Sequence, residues 1–167
     1  MKYKIVILIV LVLHGNLEVF SQISVEGCCI NYEYGSLMPG VSVNLHTPSG
    51  DKNGALTDNK GNFKVKIGDE TECLIFKFIG CYAVKILNIP KGVKHIDLGE
   101  IKLVENYGDV QCYTDGSIAE TPKGNIEKDQ NIKKDVLENY RIKVCDEILT
   151  PSFEEEYIVF DFKKETR

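Results

Sequence analysis

The spacing of turn-forming residues constrains this chain more than any other feature. Between residues 23 and 104, clusters of Gly, Pro, Asn and Asp recur about every 8–12 residues, and apolar and polar side chains alternate between them. Successive side chains of a strand point to opposite faces, so each segment has one apolar and one polar face. Two turns are the most legible. Leu37-Met38-Pro39-Gly40-Val41-Ser42-Val43 runs from a turn into an alternating strand. Thr57-Asp58-Asn59-Lys60-Gly61-Asn62-Phe63 feeds another: Asp and Asn side chains bond their own backbone, and Gly supplies a positive φ.

Strands are expected at residues 23–32, 41–46, 54–57, 63–67, 73–79, 82–89 and 96–104, with no helix among them. In the first, Val25, Gly27 and Cys29 share one face and Cys28 and Ile30 the other, so one thiol of the vicinal pair should be buried. Residues 31–36 and 90–94 read as turns, and 47–53 as a hairpin loop. In 73–79, Leu74, Phe76 and Phe78 form one face. In 96–104 the apolar phase changes near Gly99. About seven short strands of this kind predict an all-β sandwich.

The texture changes after Val104. Residues 105–128 read as linker. Residues 126–140 fit one helix, with Ile132, Val136 and Tyr140 at four-residue steps. Residues 141–147 and 156–163 read as two strands of a hairpin packed on the body, with Pro151 between them. The expected organisation is thus a β-sandwich over 22–104 and an acidic C-terminal extension over 105–167. Residues 1–21 read as a secretory signal: Lys2 and Lys4 precede an apolar run from Ile5 to Leu13, with Val19 and Ser21 at the small-residue positions and Gln22 first after cleavage. That run of nine residues falls short of the ~20 needed to span a bilayer. The expected location is therefore exported, periplasmic or outer-membrane-associated.

Residues 22–104 carry nine acids and nine bases, whereas 105–167 carry 15 acids and nine bases. Nucleic acid and anionic lipid would both call for clustered Lys and Arg, so neither is an expected partner. Six cysteines (Cys28, Cys29, Cys73, Cys81, Cys112 and Cys145) leave disulfide connectivity open. Cys73 and Cys81 flank one strand, too far apart to bridge if it is straight.

The order of motifs resembles the carboxypeptidase-regulatory-like domain, also called the carboxypeptidase D regulatory-like or peptidase-associated domain. The resemblance rests on Val25-x-Gly27, on Leu37-Met38-Pro39-Gly40-Val41-Ser42-Val43, on Thr57-Asp58-x-x-Gly61-x-Phe63 and on Leu74-x-Phe76-x-Phe78-Ile79-Gly80. It covers about residues 23–104. It implies a transthyretin-like or immunoglobulin-like sandwich without catalysis of its own. In Bacteroidetes-type envelopes such domains often precede TonB-dependent receptors. This chain departs from the pattern with Met38 inserted, with Cys29 in place of Val, and with Cys81 where an aromatic is usual. No plug or barrel sequence follows Val104, so only the module carries over.

Catalytic signatures are missing. His46 is followed three residues on by Ser49, and His95 by Leu98, so His-x-x-Glu for zinc does not occur; nor do Cys-x-x-Cys or Gly-x-Ser-x-Gly. No catalytic, cofactor or metal residues are expected. Asp58, with Asn59 and Asn62, has calcium as a rival to its turn role. Tyr32, Tyr34, Tyr107 and Tyr113 lie near loops and could form a recognition surface. The chain is therefore expected to be a non-enzymatic exported module binding a protein partner or glycan at the envelope. The alternative is a small hydrolase or thiol-redox protein whose site the C-terminal extension forms.

Overall fold

The computed structural model describes residues 22–107, 113–114, 117–118, 123–144 and 146–163. The chain forms β1 (Ile23–Asn31), β2 (Ser42–Thr47), β3 (Gly50–Leu56), β4 (Asn62–Ile67), β5 (Cys73–Lys77), β6 (Ala83–Leu87) and β7 (His95–Leu103). Then follow β8 (Tyr113–Thr114), β9 (Ser117–Ile118), α1 (Lys123–Asn139), β10 (Ile142–Val144), β11 (Glu147–Leu149), β12 (Pro151–Glu154) and β13 (Tyr157–Asp161). It is an all-β sandwich with a C-terminal extension. A three-stranded sheet, β4-β1-β7, faces a six-stranded one, β12-β13-β6-β5-β2-β3.

The alternation read from the sequence is what builds the core. In β4, Phe63, Val65 and Ile67 are buried while Asn62, Lys64 and Lys66 are exposed. In β7, Ile96 and Leu98 point inward, the phase slips at Gly99 (φ 61°), and Ile101 and Leu103 resume it. The slip is a β-bulge in β7: Leu98 and Gly99 together stand opposite the single residue Gly27 of β1. The second sheet contributes Val43, Leu74, Phe76, Val84 and Ile86. Phe63 and Phe76 meet edge to face across the two layers, with ring centroids 5.1 Å apart. Each such buried side chain is worth roughly 1.5–3 kcal/mol in transfer free energy.

The turn between β3 and β4 fixes how the sheets connect. Asp58 Oδ1 accepts the N–H groups of Lys60 and Asn62, both at 2.8 Å. Gly61 has φ 74°, and a Cβ there would lie 2.5 Å from the Cys29 carbonyl oxygen. Only glycine meets both demands.

Three expectations require correction. Residues 47–53 are not one loop: Pro48 and Ser49 alone connect β2 to β3, and Gly50 already pairs with Thr47. The exposed, charged character of β3 reflects its place at the sheet edge. The strand expected over 73–79 stops at Lys77, because the chain turns at residues 78–81, where Cys81 N–H donates to the Phe78 carbonyl. Finally, residues 141–147 and 156–163 are not partners. β10 pairs with β11 and β12 with β13, giving two short hairpins.

β13 also pairs in parallel with β6, which places it inside the larger sheet of the body. Its central residues Ile158, Val159 and Phe160 are all buried, as expected of an inner strand. The helix is present, and Ile132, Val136 and the Tyr140 that follows it are buried as their spacing implies. Tyr140 packs edge to face on Phe160, and its hydroxyl oxygen accepts the Lys102 N–H at 2.6 Å. No helix among the described residues is long and apolar enough to cross a membrane.

Candidate binding surface

One end of the sandwich gathers three loops whose backbones are held by hydrogen bonds and which present large side chains at the surface. The first is the turn after β1. Asn31 Oδ1 accepts the N–H groups of Glu33 and Tyr34, both at 2.9 Å, and Asn31 N–H donates to the Ser36 carbonyl at 2.8 Å. An Asn side chain bonded to its own downstream backbone makes a rigid local turn. It aims Glu33 and Tyr34 outward and returns Leu37 beside Ile30. Thr57 then pins the next segment: its hydroxyl donates to the Met38 carbonyl at 2.7 Å and accepts the Val41 N–H at 2.8 Å.

The second loop is the turn of residues 78–81. Gly80, at φ 78°, turns the chain immediately after two large apolar residues. Ile79 is left 97% exposed and Phe78 39%, with Leu37 at 54%. The third loop leaves β7. Tyr82 N–H donates to the Val104 carbonyl, Asn106 N–H donates to the Gly80 carbonyl, and Glu105 bridges to Cys81. These loops surround a cleft of about 490 Å³ lined by Leu37, Met38, Phe78, Ile79, Cys81 and Tyr107 among others.

A polar cluster borders this apolar cleft. The Tyr107 hydroxyl lies 2.7 Å from Glu105 Oε2 and 3.0 Å from Glu33 Oε2. Burial, and then these two carboxylates, push the Tyr107 phenol far above its usual range. Glu33, followed by Glu105, pushes the exposed Tyr34 phenol the same way. Lys128, on α1, sits 3.8 Å above the Tyr107 ring and 3.8 Å from Glu33 Oε1. A second, more open cleft of about 630 Å³ lies across the 31–36 turn, between Tyr32 and the helix residues Lys128, Asn131 and Asp135. There, the Tyr32 hydroxyl donates to Asp135 Oδ2 at 2.6 Å.

Three of the four tyrosines singled out in the sequence, Tyr32, Tyr34 and Tyr107, therefore come together here. Tyr113 lies in β8. Phe78 and Ile79 were hidden by the alternation of β5, which assigns Phe78 to the core face. Their only signal is the Gly80 that follows them.

The other singled-out residues sit elsewhere. Cys29 is buried and Cys28 half-buried, as their opposite faces require, with the Cys28 thiol 3.4 Å from the Lys60 carbonyl. Cys28, Cys29, Cys73 and Cys81 are free thiols, while Cys112 and Cys145 lie outside the described residues. Burial pushes Cys29 up to about 12 and, with Glu105 adding to it, Cys81 up to about 11. Asp58 spends its carboxylate on the turn, and the backbone bonds from Asn62 and Lys60 hold its pKa below the ordinary 3.8. His46 pairs with Asp51 across the β2–β3 hairpin, and His95 lies 3.5 Å from Glu26.

The fold and this surface define a class: a β-sandwich with a rigid, partly apolar loop end. Comparison with family models, with curated proteins and with solved structures finds no match to the chain.

Proposed function

We propose that this chain is a non-enzymatic, exported β-sandwich module that binds a protein partner or a glycan at the cell envelope through the loop end. The observation that carries the reading is the adjacency of Leu37, Phe78 and Ile79, exposed on backbone that is hydrogen-bonded into place. Large apolar side chains grouped at the surface of a fixed scaffold mark interaction sites. The resemblance to carboxypeptidase-regulatory-like domains and the signal-like residues 1–21 support the same reading and an envelope location. The thiol-redox alternative draws no support from the described cysteines, because burial raises all four thiol pKa values and a reactive thiol needs the opposite shift.

Site-specific photocrosslinking in cells tests this. A photoreactive phenylalanine analogue at position 79 should give one discrete adduct with an envelope component. The same probe at Lys66, exposed on β4, should not. Indistinguishable patterns at the two positions would overturn the reading.

A further inference from the structure

We propose that the cleft beside Phe78 and Ile79 accepts a protein segment in which a large apolar side chain is flanked by Lys or Arg. The apolar side chain packs against Leu37, Phe78 and Ile79, and the cation reaches Glu33 and Glu105. The inference rests on the binding-module reading above and names its partner class.

Charge complementarity selects the flanking cation. Glu33 and Glu105 both lie within hydrogen-bond distance of the Tyr107 hydroxyl, at 3.0 and 2.7 Å. A hydroxyl has one proton, so it can donate to only one of them at a time. Asn31 Nδ2 gives Glu105 a neutral donor at 3.2 Å, which leaves its charge in place. Lys128 approaches Glu33 Oε1 only to 3.8 Å. Two carboxylates thus sit close together around the Tyr107 hydroxyl, Glu105 lining the apolar cleft and Glu33 the neighbouring one. An arriving guanidinium or ammonium would relieve their repulsion, while an acidic segment would increase it. The exposed Tyr34 phenol also bonds the Glu33 carboxylate, a neutral donor that, like Asn31 on Glu105, leaves the charge in place.

Charge favours a protein segment over a glycan, because a neutral sugar carries no cation for the paired carboxylates. Two of the rings at this end are also already occupied. The Tyr107 face is covered by Lys128, and the Tyr32 ring leans on Tyr140 with centroids 5.7 Å apart. What the cleft does offer openly is aliphatic and phenyl surface from Leu37, Ile79 and Phe78. A space of about 490 Å³ suits one or two apolar side chains of a peptide.

Selection from a random 12-residue peptide library displayed against the immobilised full chain tests the proposal. The expected consensus places a large apolar residue within two or three positions of Lys or Arg. Ile79→Asp should weaken a selected peptide by at least about tenfold, as for a central apolar anchor. Its melting temperature should stay unchanged, since Ile79 is 97% exposed. Glu33→Gln with Glu105→Gln should weaken binding by about three- to tenfold and flatten its salt dependence. An acidic or charge-free consensus, no enrichment, or full binding by Ile79→Asp each overturns it. Binding on a glycan array that Ile79→Asp abolishes would assign the cleft to sugars instead. A discrete crosslink at position 79 without a basic consensus would sink this inference and leave the module reading standing.

Discussion

Tyr82 donates its phenol proton to Asp129 across the junction of sandwich and helix, with 2.6 Å between the oxygens. Asp129 is only 6% exposed, and Lys133, one turn on, supplies its other oxygen with an ammonium at 2.9 Å. Lys133 in turn lies 4.8 Å above the Tyr82 ring, which packs edge to face on Phe153 of β12. The contact therefore ties the helix to β12 and to the residue that leads into β6. Removing one partner of a buried charged bond leaves the others without their match. Asp129→Ala should cost roughly 2–3 kcal/mol in urea unfolding, and Tyr82→Phe roughly 1–2 kcal/mol. Equal stability of Asp129→Ala and the parent would show that the helix is held by its apolar stripe alone.

Gly61 supports a sharper prediction. Its φ of 74° is one that β-branched residues resist, and the Cys29 carbonyl leaves no room for a Cβ. Gly61→Val should lower stability by more than about 3 kcal/mol, since strain and steric displacement add. Gly61→Ala should be milder but still clearly destabilising. Thermal melts of both variants check this, and an unchanged midpoint for Gly61→Val would refute the turn geometry.

The same turn has a pH signature. The folded pKa of Asp58 lies below its ordinary 3.8 because backbone N–H groups favour the charged form. A depressed carboxylate contributes stability above its unfolded pKa and loses it as the pH falls through the folded value. The melting-temperature gap between the parent and Asp58→Ala should be widest at pH 5–7 and narrow below about pH 4. A gap that stays constant from pH 7 to pH 3 would mean that charge is irrelevant and only the loop shape matters.

How much of this was visible beforehand follows from what each signal depends on. Period-two alternation is local, so Phe63, Val65 and Ile67 of β4 and the phase slip at Gly99 could be read directly. The stripe Ile132, Val136 and Tyr140 revealed the helix for the same reason. Three residues before Ile132 the buried face continues through Asp129, a polar residue that bonds Tyr82, 47 positions away, and no local pattern carries that. The parallel pairing of β13 with β6 is equally non-local, which made residues 105–167 read as an appendage. The tyrosines of the loop end were found because loops expose them. Phe78 and Ile79 were not, because two apolar residues at a strand's end look like more strand.

The vicinal cysteines should differ in reactivity. Cys29 is fully buried with its thiol pushed up to about 12, whereas Cys28 is half-buried and faces the outer surface of the three-stranded sheet. In a chain with Cys112 and Cys145 replaced by Ser, maleimide labelling at neutral pH should modify Cys28 well before Cys29. Cys28→Ser should remove that phase. Mass mapping that finds Cys29 labelled first would mean that β1 presents the opposite face.

Phe160 tests whether the last strand belongs to the body. It is fully buried, packs edge to face on Tyr140, and sits opposite Ile86 in the parallel ladder. Removing it leaves a cavity at the meeting point of helix and larger sheet, and such Phe→Ala changes cost roughly 3–5 kcal/mol. If β13 is integral to the sandwich, Phe160→Ala should shift a single cooperative transition, seen alike by far-ultraviolet circular dichroism and by tyrosine fluorescence. Hydrogen exchange should then quicken at Val84 and Ile86 of β6 as well as in β13. Two separated transitions, with β6 still protected after the first, would instead make residues 105–167 an independent unit docked onto a self-sufficient sandwich.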